Sequence, residues 1–122
     1  MTRNIRIIPK LEVKNNNLVK GVNHEGLRIL GPAKEFTNFY SKELYDEIIM
    51  IDCIASLFGT SSAFDLVNDI ACNLRLPLSY GGGLKNLKQC LLALDKGADR
   101  IIINSALFNK PNLIKELVKE IG

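Results

Sequence analysis

Short apolar runs alternate along the chain with longer stretches in which apolar residues recur every three or four positions. Runs of the first kind are typical of buried strands, and the longer spacing is typical of helices with one buried face. The pattern predicts four strands, at residues 5–13, 48–51, 76–80 and 101–103. Asn15-Asn16-Asn17 followed by the β-prone residues 18–22 predicts a hairpin after the first strand.

A helix is predicted after each strand. The helices begin after Gly31-Pro32, at Ser61 or Ser62, after the glycines 81–83, and near Pro111. Their predicted buried stripes are Phe36, Phe39, Tyr40 and Leu44; Phe64, Leu66, Val67, Ile70 and Leu74; Leu87, Leu91, Leu92 and Leu94; and Leu113, Ile114, Leu117, Val118 and Ile121.

Four successive βα units predict an α/β fold with a parallel sheet and right-handed crossovers. A weak internal repeat supports this prediction, because residues 46–51 and 99–104 both run from an acidic residue into a buried strand. Residues 1–122 are expected to form a single domain. A complete (β/α)8 barrel needs about 250 residues, so the sheet is either an open four-stranded layer or half of a TIM barrel.

Composition narrows the possible functions. The chain has 122 residues, of which 47% are apolar and 24% charged, and this excludes a disordered or collagen-like chain. The net charge of +3 suits an anionic small molecule and is too weak for a nucleic-acid footprint. No apolar run reaches the roughly 20 residues that span a bilayer, and the first residues do not resemble a signal peptide. We therefore expect a cytoplasmic protein with no nucleic-acid or membrane partner.

The cysteines and the histidine are too scattered for a metal site or a disulfide framework. Cys53, Cys72 and Cys90 form no CxxC pair, and His24 is the only histidine. We expect reduced thiols, a solvated His24, and neither a metal nor another cofactor.

Residues able to carry chemistry follow the predicted strands, and the carboxyl ends of parallel strands meet at one edge of a sheet. That edge should collect Glu12, Asp52, the glycines 81–83 and the pair Asn104-Ser105. A glycine turn followed by a helix can bind phosphate, although three glycines can also be a plain flexible turn. Asn104-Ser105 at the next strand end favours phosphate. Glu12 and Asp52 are either acid–base groups or carboxylates that tether loops.

Five motifs, in order and with matching spacing, resemble the N-terminal half of the cyclase subunits of imidazole glycerol phosphate synthase. The motifs are residues 7–14 (IIPKLEVK), 18–23 (LVKGVN), 51–56 (IDCIAS), 80–84 (YGGGL) and 97–105 (GADRIIINS). The resemblance implies the first four units of a (β/α)8 barrel. It also implies a role in histidine biosynthesis as a lyase, in which a glutaminase partner supplies ammonia to a phosphorylated ribotide.

The resemblance also assigns roles to residues of this chain. Glu12 falls on the catalytic aspartate at the end of the first strand, and Asp52 on an acidic residue of the same cavity. Gly82, Gly83, Asn104 and Ser105 fall at the phosphate site. Arg6, Glu47 and Arg100 fall on a charged ring at the opposite end of the barrel, where ammonia enters.

The chain departs from the family pattern at the first motif. The usual Cys-Leu-Asp-Val-(Lys/Arg)-Asp-Gly reads Lys10-Leu11-Glu12-Val13-Lys14-Asn15-Asn16, and a shift of about 1 Å in a catalytic group can cost roughly a hundredfold in rate. The remaining catalytic groups of the family lie in the second half of its barrel. Three readings stay open: a half of a cyclase that is inactive alone, a non-catalytic phosphate-binding module, and a cyclase-like paralogue serving an amidotransferase in amidino-sugar synthesis. An open sheet edge also predicts association with another copy or with a second half-barrel.

Overall fold

A computed structural model describes residues 5–22, 26–53 and 62–122. The predictions for His24, Ser61 and residues 54–56 lie outside these residues. The strands are β1 (Lys10–Lys14), β2 (Asn17–Val22), β3 (Gly26–Pro32), β4 (Ile48–Asp52), β5 (Leu78–Gly81) and β6 (Arg100–Ile102). The helices are α1 (Ala33–Lys42), α2 (Ser62–Ala71), α3 (Leu87–Asp95), α4 (Ala106–Asn109) and α5 (Leu113–Ile121).

The described strands form one six-stranded sheet in the order β3-β2-β1-β4-β5-β6. β1, β4, β5 and β6 are parallel neighbours, as the four βα units predict. The fold class is therefore confirmed: an α/β chain that makes part of a (β/α)8 barrel. Its sheet is mostly parallel, because β2 and β3 pair antiparallel at the β1 edge.

The predicted hairpin is present and is longer than the sequence indicates. Asn15 and Asn16 have φ of 48° and 68°, a backbone that asparagine tolerates in tight hairpin turns. The turn pairs Val13 with Leu18. β3, which extends the hairpin, was not predicted, because only Leu27-Arg28-Ile29 alternates between apolar and polar residues before Leu30 breaks the pattern.

Alternate residues of the parallel strands point to opposite faces of the sheet. One side, which we call the helix face, carries the buried core residues Leu11, Val13, Ile48, Met50, Leu78 and Tyr80. The other side, which we call the cleft face, carries two rows of paired residues: Lys10, Ile49, Ser79 and Arg100, then Glu12, Ile51, Gly81 and Ile102.

Several predicted buried stripes were partly wrong. In α1 the buried residues are Ala33 and Thr37, whereas Phe39 and Leu44 are exposed. α3 buries Cys90 and Ala93 in place of Leu91 and Leu92, because the helix approaches the sheet on its small residues. α5 buries Leu113 and Leu117 but leaves Ile114, Val118 and Ile121 exposed.

The first strand begins at Lys10, although its apolar pattern starts at Ile5. Residues 5–9 instead form an extended segment that is fixed at Ile7. The Ile7 amide donates to Asp46 Oδ2 at 2.5 Å, and its carbonyl accepts from the Asp46 amide at 3.0 Å. This clamp places Arg6 beside the residue that precedes β4, Glu47.

Candidate functional site

A cleft of about 830 Å³ opens at the carboxyl ends of the parallel strands. Its volume is within the range of small-molecule sites, about 300–1,000 Å³. The cleft is lined by four residues of the cleft face, Lys10, Ile49, Ile51 and Ile102. The other lining residues lie at or beyond the strand ends: Asp52, Gly82, Gly83, Leu84, Lys85, Asn86, Ile103, Asn104, Ser105, Ala106, Asn109 and Lys110. The predicted phosphate residues are thus brought together in one cavity, and three lysines against one aspartate make its lining positive.

The glycine turn is held close to the neighbouring strand. Gly82 and Gly83 have φ of 102° and 70°. A Cβ atom on Gly82 would lie 2.8 Å from the backbone nitrogen of Asp52 and 3.0 Å from its carbonyl carbon. Packing alone therefore requires glycine at position 82, and a ligand is not needed to explain that residue.

Asn104 and Ser105 come one residue after the end of β6 and are exposed on the cleft wall. Ser105 stands at the N-cap position of α4, yet its hydroxyl makes no capping hydrogen bond. Its side chain therefore lines the cleft and does not cap the helix, and its role in a phosphate site stays a prediction.

Asp52 and Glu12 lie on adjacent strands in neighbouring positions of the ladder, since Asp52 pairs with Val13 and Glu12 pairs with Ile51. Asp52 continues the helix-face side of β4 after Met50 and is 8% exposed, and it also lines the cleft. Glu12 is half-buried on the cleft face and is not among the residues that line the cleft. Lys10 Nζ lies 3.8 Å from Glu12 Oε1.

Both carboxylates act on Cys53, the residue after β4. Burial raises the pKa of the Cys53 thiol, and the charges of Glu12 and Asp52 raise it further. The pKa of Tyr80 is also raised, first by burial and then by Asp52. The predicted pair of acidic residues therefore shares one neighbourhood, although their catalytic roles remain predictions.

A second cluster of charges lies toward the opposite ends of the strands. Glu47 Oε2 accepts hydrogen bonds from Arg6, at 3.0 Å, and from Arg100. The Glu47 side chain is 8% exposed, whereas the two arginine side chains are more than half exposed. The structure thus brings together the three residues predicted to form a charged ring.

The cleft includes residues that sequence reasoning did not assign. Asn86 caps α3 by accepting from the Gln89 amide at 2.9 Å, while Gln89 Oε1 accepts from the Lys85 amide at 2.7 Å. This reciprocal arrangement resembles a capping box, which the sequence indicates by the pattern Asn-x-x-Gln. The second hydrogen bond fixes the backbone of Lys85 at the rim of the cleft. Lys10 was recognisable from its place two residues before Glu12, on the same side of a strand.

Among the described residues, no group of three or more His, Cys, Asp or Glu side chains is arranged to hold a metal ion. The helices in this part of the chain are all too short or too polar to cross a membrane.

These features define a class: a partial (β/α)8 barrel with a glycine turn and a positive cleft at the carboxyl ends of its strands. The family model described as histidine biosynthesis protein matches residues 6–122. The chain belongs to this family.

Similar proteins include the imidazole glycerol phosphate synthase subunit HisF of Dictyoglomus turgidum, 40% identical over 117 residues, which cover 96% of this chain and 46% of that protein. HisF of Petrotoga mobilis is 41% identical with the same coverage, and HisF of Legionella pneumophila is 36% identical, covering 98% of this chain and 56% of its own length. The chain thus spans about half the length of the curated relatives it matches.

Proposed function

We propose that this chain supplies the N-terminal half of an ammonia-dependent cyclase of histidine biosynthesis, a lyase that is inactive until a second half-barrel completes it. One observation carries the proposal. In a chain about 40% identical to HisF, the cleft at one end of the strands gathers Gly82, Gly83, Asn104 and Ser105, while Arg6, Glu47 and Arg100 cluster toward the other end.

In the proposed mechanism, a phosphorylated ribotide places one phosphate against the glycine turn and the Asn104-Ser105 pair. Backbone N–H groups and short polar side chains suit this anion. Glu12 acts as the general acid–base group on β1, and Asp52 supplies a neighbouring negative charge. A glutaminase partner delivers ammonia beside Glu47, at the end of the sheet remote from the cleft. Three unpaired thiols suit a reducing cytoplasm.

A second candidate function, a phosphate-binding module without turnover, is favoured by one specific contact. Lys10 Nζ lies 3.8 Å from Oε1 of Glu12, the carboxylate that the mechanism needs, so this ion pair competes with a substrate for Glu12. The same contact also suits the third reading, a cyclase-like paralogue with a different substrate in amidino-sugar synthesis.

The decisive experiment mixes this chain with the separately produced C-terminal half of a HisF relative, and adds the ribotide and ammonium. We expect ammonia-dependent formation of imidazole glycerol phosphate, and its loss in Glu12→Gln. Glu116→Gln, an exposed carboxylate on α5, is the control and should keep full activity. Absence of turnover with phosphate binding intact would favour the module, and turnover of only a different phosphorylated substrate would favour the paralogue.

A further inference from the structure

Lys10 is a cation on the cleft face that the proposed function does not use. It lies in one row with Ile49, Ser79 and Arg100, and it lines the cleft beside Ile49 and Ile51. Arg100 of the same row is bonded to Glu47, away from the cleft. The ammonium of Lys10 is instead directed toward Glu12, the next residue on its own strand face.

The Lys10–Glu12 ion pair is loose enough for a ligand to share. Its N–O distance is 3.8 Å, and the two side chains are 60% and 46% exposed. Exposed ion pairs of this kind contribute little, and an ammonium has three donors, so Lys10 can bind a second carboxylate without releasing Glu12. A singly charged carboxylate suits the position better than a phosphate dianion, because the Glu12 carboxylate already lies 3.8 Å from Lys10 Nζ.

The register of the sheet sets the separation between Lys10 and the predicted phosphate residues. Along the strands, the row of Ile102 lies two residues beyond the row of Lys10, and Asn104 lies two residues further on. Across the sheet, three strand spacings separate β1 from β6. Rise and spacing place the two backbones on the order of 20 Å apart, and the two side chains with the phosphate reduce this to roughly 10 Å. From its carboxylate oxygen to its phosphoester oxygen, an extended six-carbon phosphorylated acid spans about 9 Å, which is close to this gap.

We infer that Lys10 forms a carboxylate subsite at the floor of the cleft, so that the cleft accepts ligands with a phosphate at one end and a carboxylate at the other. The inference rests on the proposed phosphate site, which anchors the first end. Phosphorylated polyhydroxy acids are the chemical class that fits.

Two matched probes test the subsite on the chain itself: 6-phosphogluconate, and sorbitol 6-phosphate, which has a hydroxymethyl group in place of the carboxylate. Affinities are measured from amide NMR shifts of Asn104 and Ser105 at low ionic strength, where exposed charges are least screened. We expect the chain to prefer 6-phosphogluconate about threefold, the effect of one exposed ion pair. Lys10→Met should remove the preference while leaving sorbitol 6-phosphate affinity within about twofold.

Three further variants sharpen the result. Lys14→Met, on the same side of β1 but outside the cleft lining, is the matched control and should keep the preference. Lys10→Arg should keep it as well, and Glu12→Gln should increase it to about tenfold by removing the competing carboxylate.

The outcomes separate the two ideas. Equal binding of both probes to the unaltered chain would overturn the subsite and leave the phosphate site standing, whereas binding of neither probe would overturn both. A preference that survives Lys10→Met and is lost in Lys85→Met or Lys110→Met would overturn the assignment to Lys10, since the carboxylate would then lie at the rim.

Discussion

Gly82→Ala should strongly destabilise the fold, for a reason unrelated to any ligand. A φ of 102° lies outside the backbone regions that L-residues ordinarily adopt, so alanine there costs about 1–2 kcal/mol. Its Cβ would also meet the Asp52 backbone at 2.8 Å and 3.0 Å, and a forced overlap of this kind adds about 1–3 kcal/mol. The sum, about 2–5 kcal/mol, is a large part of the roughly 5–15 kcal/mol that stabilises a typical domain.

Urea unfolding followed by far-UV circular dichroism measures the loss. With a slope of about 1–3 kcal/mol per molar urea, the midpoint should fall by about 1 M or more. Gly21→Ala is the control, because a Cβ there meets nothing within 4 Å and its φ is not positive. It should change the free energy of unfolding by less than about 0.5 kcal/mol. Equal midpoints for the two variants would refute the close approach between the glycine turn and β4.

Two other outcomes follow from the charges and the open sheet. The free energy of unfolding should fall as the pH rises above about 9 to 10. The reason is that burial raises the pKa values of Cys53, Cys90 and Tyr80 in the folded chain, so the unfolded chain loses these protons first. In urea titrations, Tyr80→Phe should flatten the fall above pH 10, and an unchanged slope would contradict this. In the ladder between β1 and β2, only Val13 and Lys14 of β1 are paired, so the start of the strand is an open edge. Open strand edges associate, and we expect a dimer or larger species in which the cleft faces cover each other. Sedimentation at micromolar concentration measures this association. Ile51→Lys on the cleft face should then give monomers and Ile114→Lys on α5 should not, whereas a sharp monomer for the unaltered chain would contradict the association.

The fold could be predicted best where a sequence pattern is typical of one kind of structural element. Ile48–Ile51 is apolar on successive residues, and a short run of this kind is typical of a strand inside a parallel sheet. The strand ends then follow, and with them the placement of Gly82, Asn104 and Ser105 on one edge. The site could be predicted to that extent because parallel strands all end at the same edge of the sheet.

The predictions from the sequence were wrong where the position of a residue depends on contacts with residues remote in the chain. Ile5 and Ile7 have the pattern of a strand, but the Ile7 amide donates to the Asp46 side chain, and Pro9 has no N–H with which to continue the ladder. The predicted stripe of α3 followed leucine, whereas the helix buries Cys90 and Ala93 because close packing favours small residues. Lys10 was assigned no role, although its place two residues before Glu12 puts both side chains on one side of β1; only the structure shows that the pair reaches 3.8 Å.

The hairpin of β2 and β3 also bears on the order in which the chain acquires structure. β2 and β3 are joined by a short connection and can meet within microseconds. Lys10 must instead find Ile49, and Ile48 must find Leu78, across an entire crossover in each case. Such distant encounters are slow because loop closure has to precede any gain from pairing. The antiparallel hairpin is therefore a local unit that can form at the β1 edge before the parallel strands are assembled beside it.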